Sequence, residues 1–122
     1  MGYRSQVQSV IYADKAKMDT FKNKNKELLT MLEDEFNDGS LQYKQMEDID
    51  MIYLKGDCWK WYDDFKEVMG WHDLIDRADE DGLCTEFVRT GEEPDDVETD
   101  YRGKPEHLQY YIYPSTIIEA NF

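Results

Sequence analysis

Four residues are of the kinds that ligate transition metals or pair as nucleophile and base: Cys58, His72, Cys84 and His107. None stands at a spacing that such chemistry uses. The chain has no Cys-x-x-Cys, no His-x-x-x-His and no His-Glu-x-x-His, the separations that place two ligands on one turn or one helix face. Two cysteines and two ordinary histidines are the plainer reading, and no metal site is expected. Asp79-Glu80-Asp81-Gly82 places aspartates before a glycine but lacks the first and last ligands of a calcium loop at their offsets, so it reads as a helix end. No Gly-x-Ser-x-Gly elbow and no phosphate-cradling glycine loop occurs. With 28 acidic residues, neighbours such as Asp63-Asp64 or Asp95-Asp96 arise by chance and do not mark a general acid and base. No catalytic residue and no cofactor is expected.

The chemistry that does stand out is charge and aromatic surface. The net charge of −14 is unevenly distributed: residues 1 to 60 carry nine Lys/Arg against eleven Asp/Glu, and residues 61 to 122 carry five against seventeen. The halves are therefore −2 and −12. A field of this sign repels phosphates and anionic lipid and attracts basic surfaces, including those that hold nucleic acid. Direct nucleic-acid binding is not expected. Imitating a duplex would require a rigid row of carboxylates, because duplex DNA carries a charge about every 1.7 Å along its axis. Solubility is the plainer role for such a face.

Nine tyrosines, five phenylalanines and three tryptophans are too many for an acidic disordered tail and more than a small domain readily buries. Some of Trp59, Trp61, Tyr62, Trp71, Tyr110, Tyr111 and Tyr113 should reach the surface, where tyrosine and tryptophan anchor interfaces. The residues assigned to partner binding are Trp61, Tyr62 and Trp71, with the acids Glu92, Glu93, Asp95, Asp96, Glu98 and Asp100 steering a basic partner toward them.

The elements that must position these groups follow from periodicity. At 122 residues the chain suits one domain with a modest core and no need of disulfide staples; both cysteines are expected reduced and mostly buried. Val7–Tyr12 alternates with period two and reads as a strand. From Asp14, Met18, Phe21, Leu28, Leu32 and Phe36 recur at helical spacing, with Asp38-Gly39-Ser40 as the stop. Ile49–Leu54 is apolar without alternation, as in a central strand buried on both faces, and Lys55-Gly56-Asp57 should break it. A second helix follows, with Phe65, Val68, Met69, His72, Ile75 and Ala78 inward, an irregularity at Gly70 and an end at Gly82. Leu83–Thr90 and His107–Tyr113 read as strands three and four, a long antiparallel hairpin whose acidic connection from Gly91 to Asp100 is an exposed tip; Thr116–Ile118 could extend it. The fold expected is α+β, two layers, with about four strands in a mainly antiparallel sheet and two helices on one face. No apolar run approaches the roughly 18 residues of a membrane span, Gln6 stands where a myristoylation pattern needs Ser or Thr, and the cytoplasm is the expected compartment.

Several short stretches carry a resemblance. Gly2-Tyr3-Arg4-Ser5 before a strand, Lys60-Trp61-Tyr62 before a helix, Phe87-Val88-Arg89 with Gly91-Glu92 and acids to Glu98, and a tyrosine-rich last strand together resemble a family of small tailed-bacteriophage proteins that begin Gly-Tyr-Arg-Ser. Gln6 stands where that family commonly carries an acid. The resemblance implies an accessory protein working in the cytoplasm of an infected bacterium, with no catalytic residues assigned. The function expected is stoichiometric binding of a host protein with a basic surface, inhibiting or diverting it, including a defence or nucleic-acid-handling protein. A small hydrolase or nucleotide-processing enzyme using His72 or His107 with a nearby acid, and a virion or assembly component, are the alternatives.

Overall fold

The computed structural model describes residues 3–93, 95–113 and 119–120. Its elements run β1 (Ser5–Asp14), α1 (Lys15–Lys24), α2 (Lys26–Glu35), β2 (Leu41–Met46), β3 (Ile49–Trp59), α3 (Lys66–Glu80), β4 (Cys84–Gly91), β5 (Val97–Arg102), β6 (Ile112–Tyr113) and β7 (Glu119–Ala120). Five strands form one antiparallel sheet in the order β2-β3-β1-β4-β5, and β6 pairs with β7. The α+β class is as expected; within the described residues there are three helices, and the main sheet has five strands.

The alternation in β1 divides the core in two. Val7 and Ile11 join Ile52 and Leu54 of β3 and Phe87 of β4 against Met18 and Phe21 of α1, Leu29 and Leu32 of α2, and Trp71, Leu74 and Ile75 of α3. All three helices thus cover one face. Val10 and Tyr12 point the other way, with Met51, Tyr53 and Val88, and are covered by Tyr111 and Ile112 from the C-terminal segment. The unbroken apolar run in β3 is explained by this double burial, although β1, not β3, is the middle strand.

The single helix expected from Asp14 onward is two. Asn25 lies between them at φ −112° and ψ 27°, is buried, donates from Nδ2 to the Phe21 carbonyl at 2.9 Å and accepts from Arg77 Nη1 at 3.0 Å. An asparagine amide competes with the backbone for helical carbonyls; here the resulting break lets α1 and α2 each lay their apolar side on the sheet. Gly39 does take a left-handed φ of +92°, but helix α2 has ended at Glu35, and β2, unforeseen, follows directly and forms a hairpin with β3. Strand β3 also runs on through Lys55-Gly56-Asp57 to Trp59, accommodated by a register shift between Ser5 and Val7, the signature of a bulge.

Helix α3 faces inward with Val68, Trp71, Leu74, Ile75 and Ala78, while Met69 is 56% exposed. No irregularity arises at Gly70: a Cβ there would lie 2.6 Å from Met31 Cε and 3.1 Å from Leu32 Cδ2, so glycine permits α2 and α3 to approach closely. Gly82 closes the helix at φ +80°. The hairpin expected between Leu83–Thr90 and His107–Tyr113 does not form; β4 pairs instead with β5, Thr85↔Arg102 through Thr90↔Val97, inside the stretch that looked too charged. An edge strand with one solvated face tolerates such charge. Residues His107–Tyr111 carry no regular structure, and Thr116–Ile118 lie outside the described residues.

The face under the C-terminal segment is unusually polar. Tyr12 Oη donates to Glu86 Oε2 at 2.6 Å and accepts from the Gln109 amide at 2.8 Å, the Ile112 amide donates to Glu86 Oε1 at 3.0 Å, and Tyr101 Oη donates to the Ile112 carbonyl at 2.7 Å. Burial, the main cause, pushes the phenols of Tyr12, Tyr53, Tyr101 and Tyr111 above the ordinary tyrosine value, with the Glu86 hydrogen bond adding to it at Tyr12. A raised folded-state pKa means that this contribution to stability is complete below the unfolded value near ~10 and is lost as pH rises through the folded values. The expected result is alkaline unfolding, with far-ultraviolet ellipticity lost together with a late rise in tyrosinate absorbance. Ionisation of all nine tyrosines at the ordinary value with ellipticity intact would refute it.

Candidate interaction surface

Register brings two of the sequence-assigned features to the same end of the sheet. Ser5 of β1 pairs with Trp59 on one side and with Gly91 on the other. Adjacent strands lie about 4.8 Å apart, so the start of the aromatic segment and the start of the acidic hairpin tip are two strand spacings, about 10 Å, from each other.

The aromatic part is a cleft of about 210 Å³ between the end of α2, the end of β3 and the start of α3. Phe36, Trp59, Trp61 and Phe65 form its apolar lining; Glu35, Asp38 and Glu67 lie on it, with Lys60 as the one base. Three rings are nearly parallel: Phe36 and Trp59 have centroids 5.3 Å apart at 21°, Trp59 and Trp61 5.7 Å at 11°, Phe36 and Trp61 6.5 Å at 18°. Gly56 makes this possible, since a Cβ there would fall inside the Trp59 indole. Trp61 is held from beneath by Phe87 at 6.0 Å and His72 at 5.9 Å. Its buried indole N–H has no acceptor among the described residues, an arrangement that costs about 1–3 kcal/mol. Around the rim, Lys66 pairs with Glu35 at 3.1 Å, and Asp38 accepts from Ser40 Oγ at 2.5 Å and from its amide at 3.1 Å. The Ser40 hydroxyl holds the Asp38 carboxyl below its usual range, so it keeps its charge into mildly acid solution.

Not all the assigned residues belong to this surface. Trp71 is fully buried in the helix-side core and Trp61 is 8% exposed; Trp71 cannot be an exposed anchor, and Trp61 contributes only the part of its ring that lines the cleft. Tyr62 is partly exposed and packs on Phe65 at 5.2 Å. Of the other aromatics, Tyr110 is open to solvent and Tyr111 is buried, while the Tyr113 side chain lies outside the described set.

The six assigned acids also divide. Asp96 accepts from Arg89 Nη2 at 2.8 Å and from Tyr3 Oη at 2.6 Å, and Glu98 accepts from Arg89 Nε at 2.9 Å. The Arg89 guanidinium, then the Tyr3 phenol, hold the Asp96 carboxyl below its usual range. Asp100 is bound by Arg102, which also reaches Asp76 at 2.7 Å. These three are each held by a guanidinium and brace the hairpin. Their charge is only partly offset, because Arg89 serves both Asp96 and Glu98, and Arg102 serves Asp76 and Asp79 as well as Asp100. Glu92, Glu93 and Asp95 are exposed and have no ion pair among the described residues. The described residues of their loop are tied by backbone bonds: the Gly91 amide donates to the Asp96 carbonyl at 2.8 Å, the Asp96 amide to the Glu93 carbonyl at 3.0 Å, and the Glu93 amide to Tyr3 Oη at 3.2 Å. Tyr3 and Arg89, which enter the sequence reading only through the resemblance and not as surface residues, hold this tip in place. Tyr3 is 93 residues from Asp96, which hides its contact in the sequence, whereas Arg89 is only seven away.

At the other end of the sheet, a cleft of about 220 Å³ is lined by Tyr12, Asp14, Lys17, Cys84, Glu106 and His107 among others. Cys84 is free and buried, and burial, with Glu86 nearby, pushes its thiol up, away from the reactive thiolate; the side chain of Cys58 is not among those described. His72 sits among rings, 5.2 Å from Phe87. Neither imidazole makes a hydrogen bond or ion pair to a carboxylate among the described residues, the condition that a histidine-acid enzyme requires. No group of three metal-ligating side chains occurs among them, and no helix is long and apolar enough to cross a membrane. Comparison of the chain with protein-family models, with curated proteins and with solved structures gives no match.

Proposed function

We propose that the chain acts by stoichiometric binding of a protein that presents a basic surface, using the sheet end where the acidic tip and the aromatic cleft meet. The observation that carries this reading is the shared register of Ser5 with Trp59 and Gly91, which puts the start of the acidic tip and the start of the aromatic segment two strand spacings apart at one end of the sheet. Long-range attraction by the first and short-range contact by the second are the two components of a steered, specific interface. The resemblance to small bacteriophage proteins makes a bacterial host protein the proposed partner, and inhibition or diversion of it the proposed consequence. The net charge of −14 favours a partner whose own ligand is anionic.

The test is to express the tagged protein in a bacterial host, identify what co-purifies at low and high salt, and measure association kinetics with the purified partner. Neutralising Glu92, Glu93 and Asp95 together should lower the association rate about three- to tenfold at low ionic strength and leave dissociation nearly unchanged, the difference fading as salt is raised. Asp96 does not belong in that set: its bonds to Arg89 and Tyr3 make Asp96→Asn a change to hairpin order. Association unaffected at low salt would remove the tip from the interface.

A further inference from the structure

We infer that the cleft formed by Phe36, Trp59, Trp61 and Phe65 is an arginine-binding site, taking one guanidinium side chain from the basic partner. This rests on the reading of this sheet end as the docking surface and specifies what enters it. The volume of about 210 Å³ is below the roughly 300–1,000 Å³ of small-molecule and cofactor pockets, which matches a single side chain. Charge selects a cation, since Glu35, Asp38 and Glu67 lie on the cleft against Lys60 and the rim Lys66 that pairs with Glu35, which leaves a net excess of negative charge. Glu67 has neither an ion pair nor a side-chain hydrogen bond among the described residues, whereas Glu35 is shared with Lys66 and Asp38 is held by Ser40.

Shape then separates arginine from lysine. Phe36, Trp59 and Trp61 stack on one another within 11–21°, so the ring surface left to a ligand is that of the partly buried Trp59 and Phe65. A flat, weakly hydrated guanidinium stacks on such a surface while its N–H groups remain free to meet carboxylates in the ring plane. A lysine ammonium is compact and strongly hydrated and gives up more on entering. Gly56 acts as a positioning residue, because a side chain there would displace the Trp59 ring.

The experiment titrates the full chain with acetyl-Gly-Arg-Gly-amide, its lysine counterpart and its norleucine counterpart, following the three tryptophan indole N–H resonances by NMR. The expected result is a saturable, millimolar-range response to the arginine peptide at the Trp59 and Trp61 indoles and none at buried Trp71. Binding should be about threefold or more weaker for lysine and not saturable for norleucine. Trp59→Ala should weaken arginine binding about tenfold and Glu67→Gln about threefold, and the rim position of the second keeps the test valid if the first perturbs folding. Norleucine binding as tightly as arginine, or an arginine response unchanged in both variants, would overturn the site. The two readings separate cleanly. Partner capture that is lost on neutralising the tip but intact in both cleft variants sinks the arginine site and leaves the docking surface. Arginine-peptide binding with a partner indifferent to the tip leaves the site and sinks the steering role.

Discussion

Trp71→Ala should destabilise the domain by about 3–5 kcal/mol, the usual cost of truncating a fully buried tryptophan. The side chain has no exposed surface and belongs to the core under the three helices, with Leu32, Leu74 and Phe87 in the same cluster. Small domains are stable by only about 5–15 kcal/mol, so the variant should be near its unfolding threshold at 37 °C. Urea denaturation followed by circular dichroism should show a large fall in midpoint with the slope little changed. Trp71→Phe, which keeps much of the ring volume and removes an indole N–H that lacks an acceptor among the described residues, should cost far less. If Trp71→Ala instead left the midpoint in place and weakened partner binding, the tryptophan would belong to the surface after all.

The reason that Trp71 reads as a surface anchor in sequence and as core in three dimensions is the phase of its helix. Taking Met69 and His72 as inward turns the face by part of a turn, and Gly70, taken as a weak point, then has no purpose. Once Met31 and Leu32 are seen to pack on Gly70, the face rotates to Val68, Trp71, Leu74, Ile75 and Ala78, and Met69 moves outside. A glycine inside a helix with good periodicity therefore carried packing information that propensity alone misreads. The strands give a related lesson. Double burial of β3 was legible because the consecutive apolar residues Met51, Ile52, Tyr53 and Leu54 need cover on both sides, and β1 was legible from its alternation. Strand β5 was not, because the acids of Val97-Glu98-Thr99-Asp100 are accommodated on the ladder with β4 by Arg89 on the neighbouring strand and Arg102 at its own end, and such ion pairs leave no periodic trace.

The candidate surface was legible to a similar degree. Composition pointed to acids and exposed rings in the second half of the chain, and Tyr62 and the tip acids do lie at the surface. What composition could not supply was the sorting. Asp96, Glu98 and Asp100 resemble Glu92, Glu93 and Asp95 in type and neighbourhood, yet the first three meet guanidinium groups and the last three do not. The cleft itself joins Phe36 to Trp59 and Phe65 across a helix, a hairpin and a loop, a juxtaposition that depends on the break at Asn25 and on the extension of β3 past Gly56.

Removal of the Glu86 carboxylate should release the C-terminal segment from the sheet. Glu86 is fully buried and accepts from the Tyr12 phenol and from the Ile112 amide, and Tyr12 in turn accepts from the Gln109 amide. One side chain thus holds Gln109 through a phenol and Ile112 directly, and Tyr101 completes the clasp from the Ile112 carbonyl. Glu86→Ala leaves a phenolic O–H and a backbone N–H without acceptors at about 1–3 kcal/mol each, so a loss on the order of 2–5 kcal/mol is expected. Glu86→Gln should lose less, because its amide oxygen can still accept from one of the two donors. The distinguishing measurement is amide hydrogen exchange. Ile112 and Gln109 should exchange much faster in Glu86→Ala, while amides of α3 under the opposite face lose protection only in proportion to the fall in global stability, since local opening needs less free energy than global unfolding. Unchanged protection at Ile112 would mean that apolar contact of Tyr111 and Ile112 with Val10, Tyr12 and Val88 holds the segment without the carboxylate, and the polar network would then be a consequence of that packing instead of its cause.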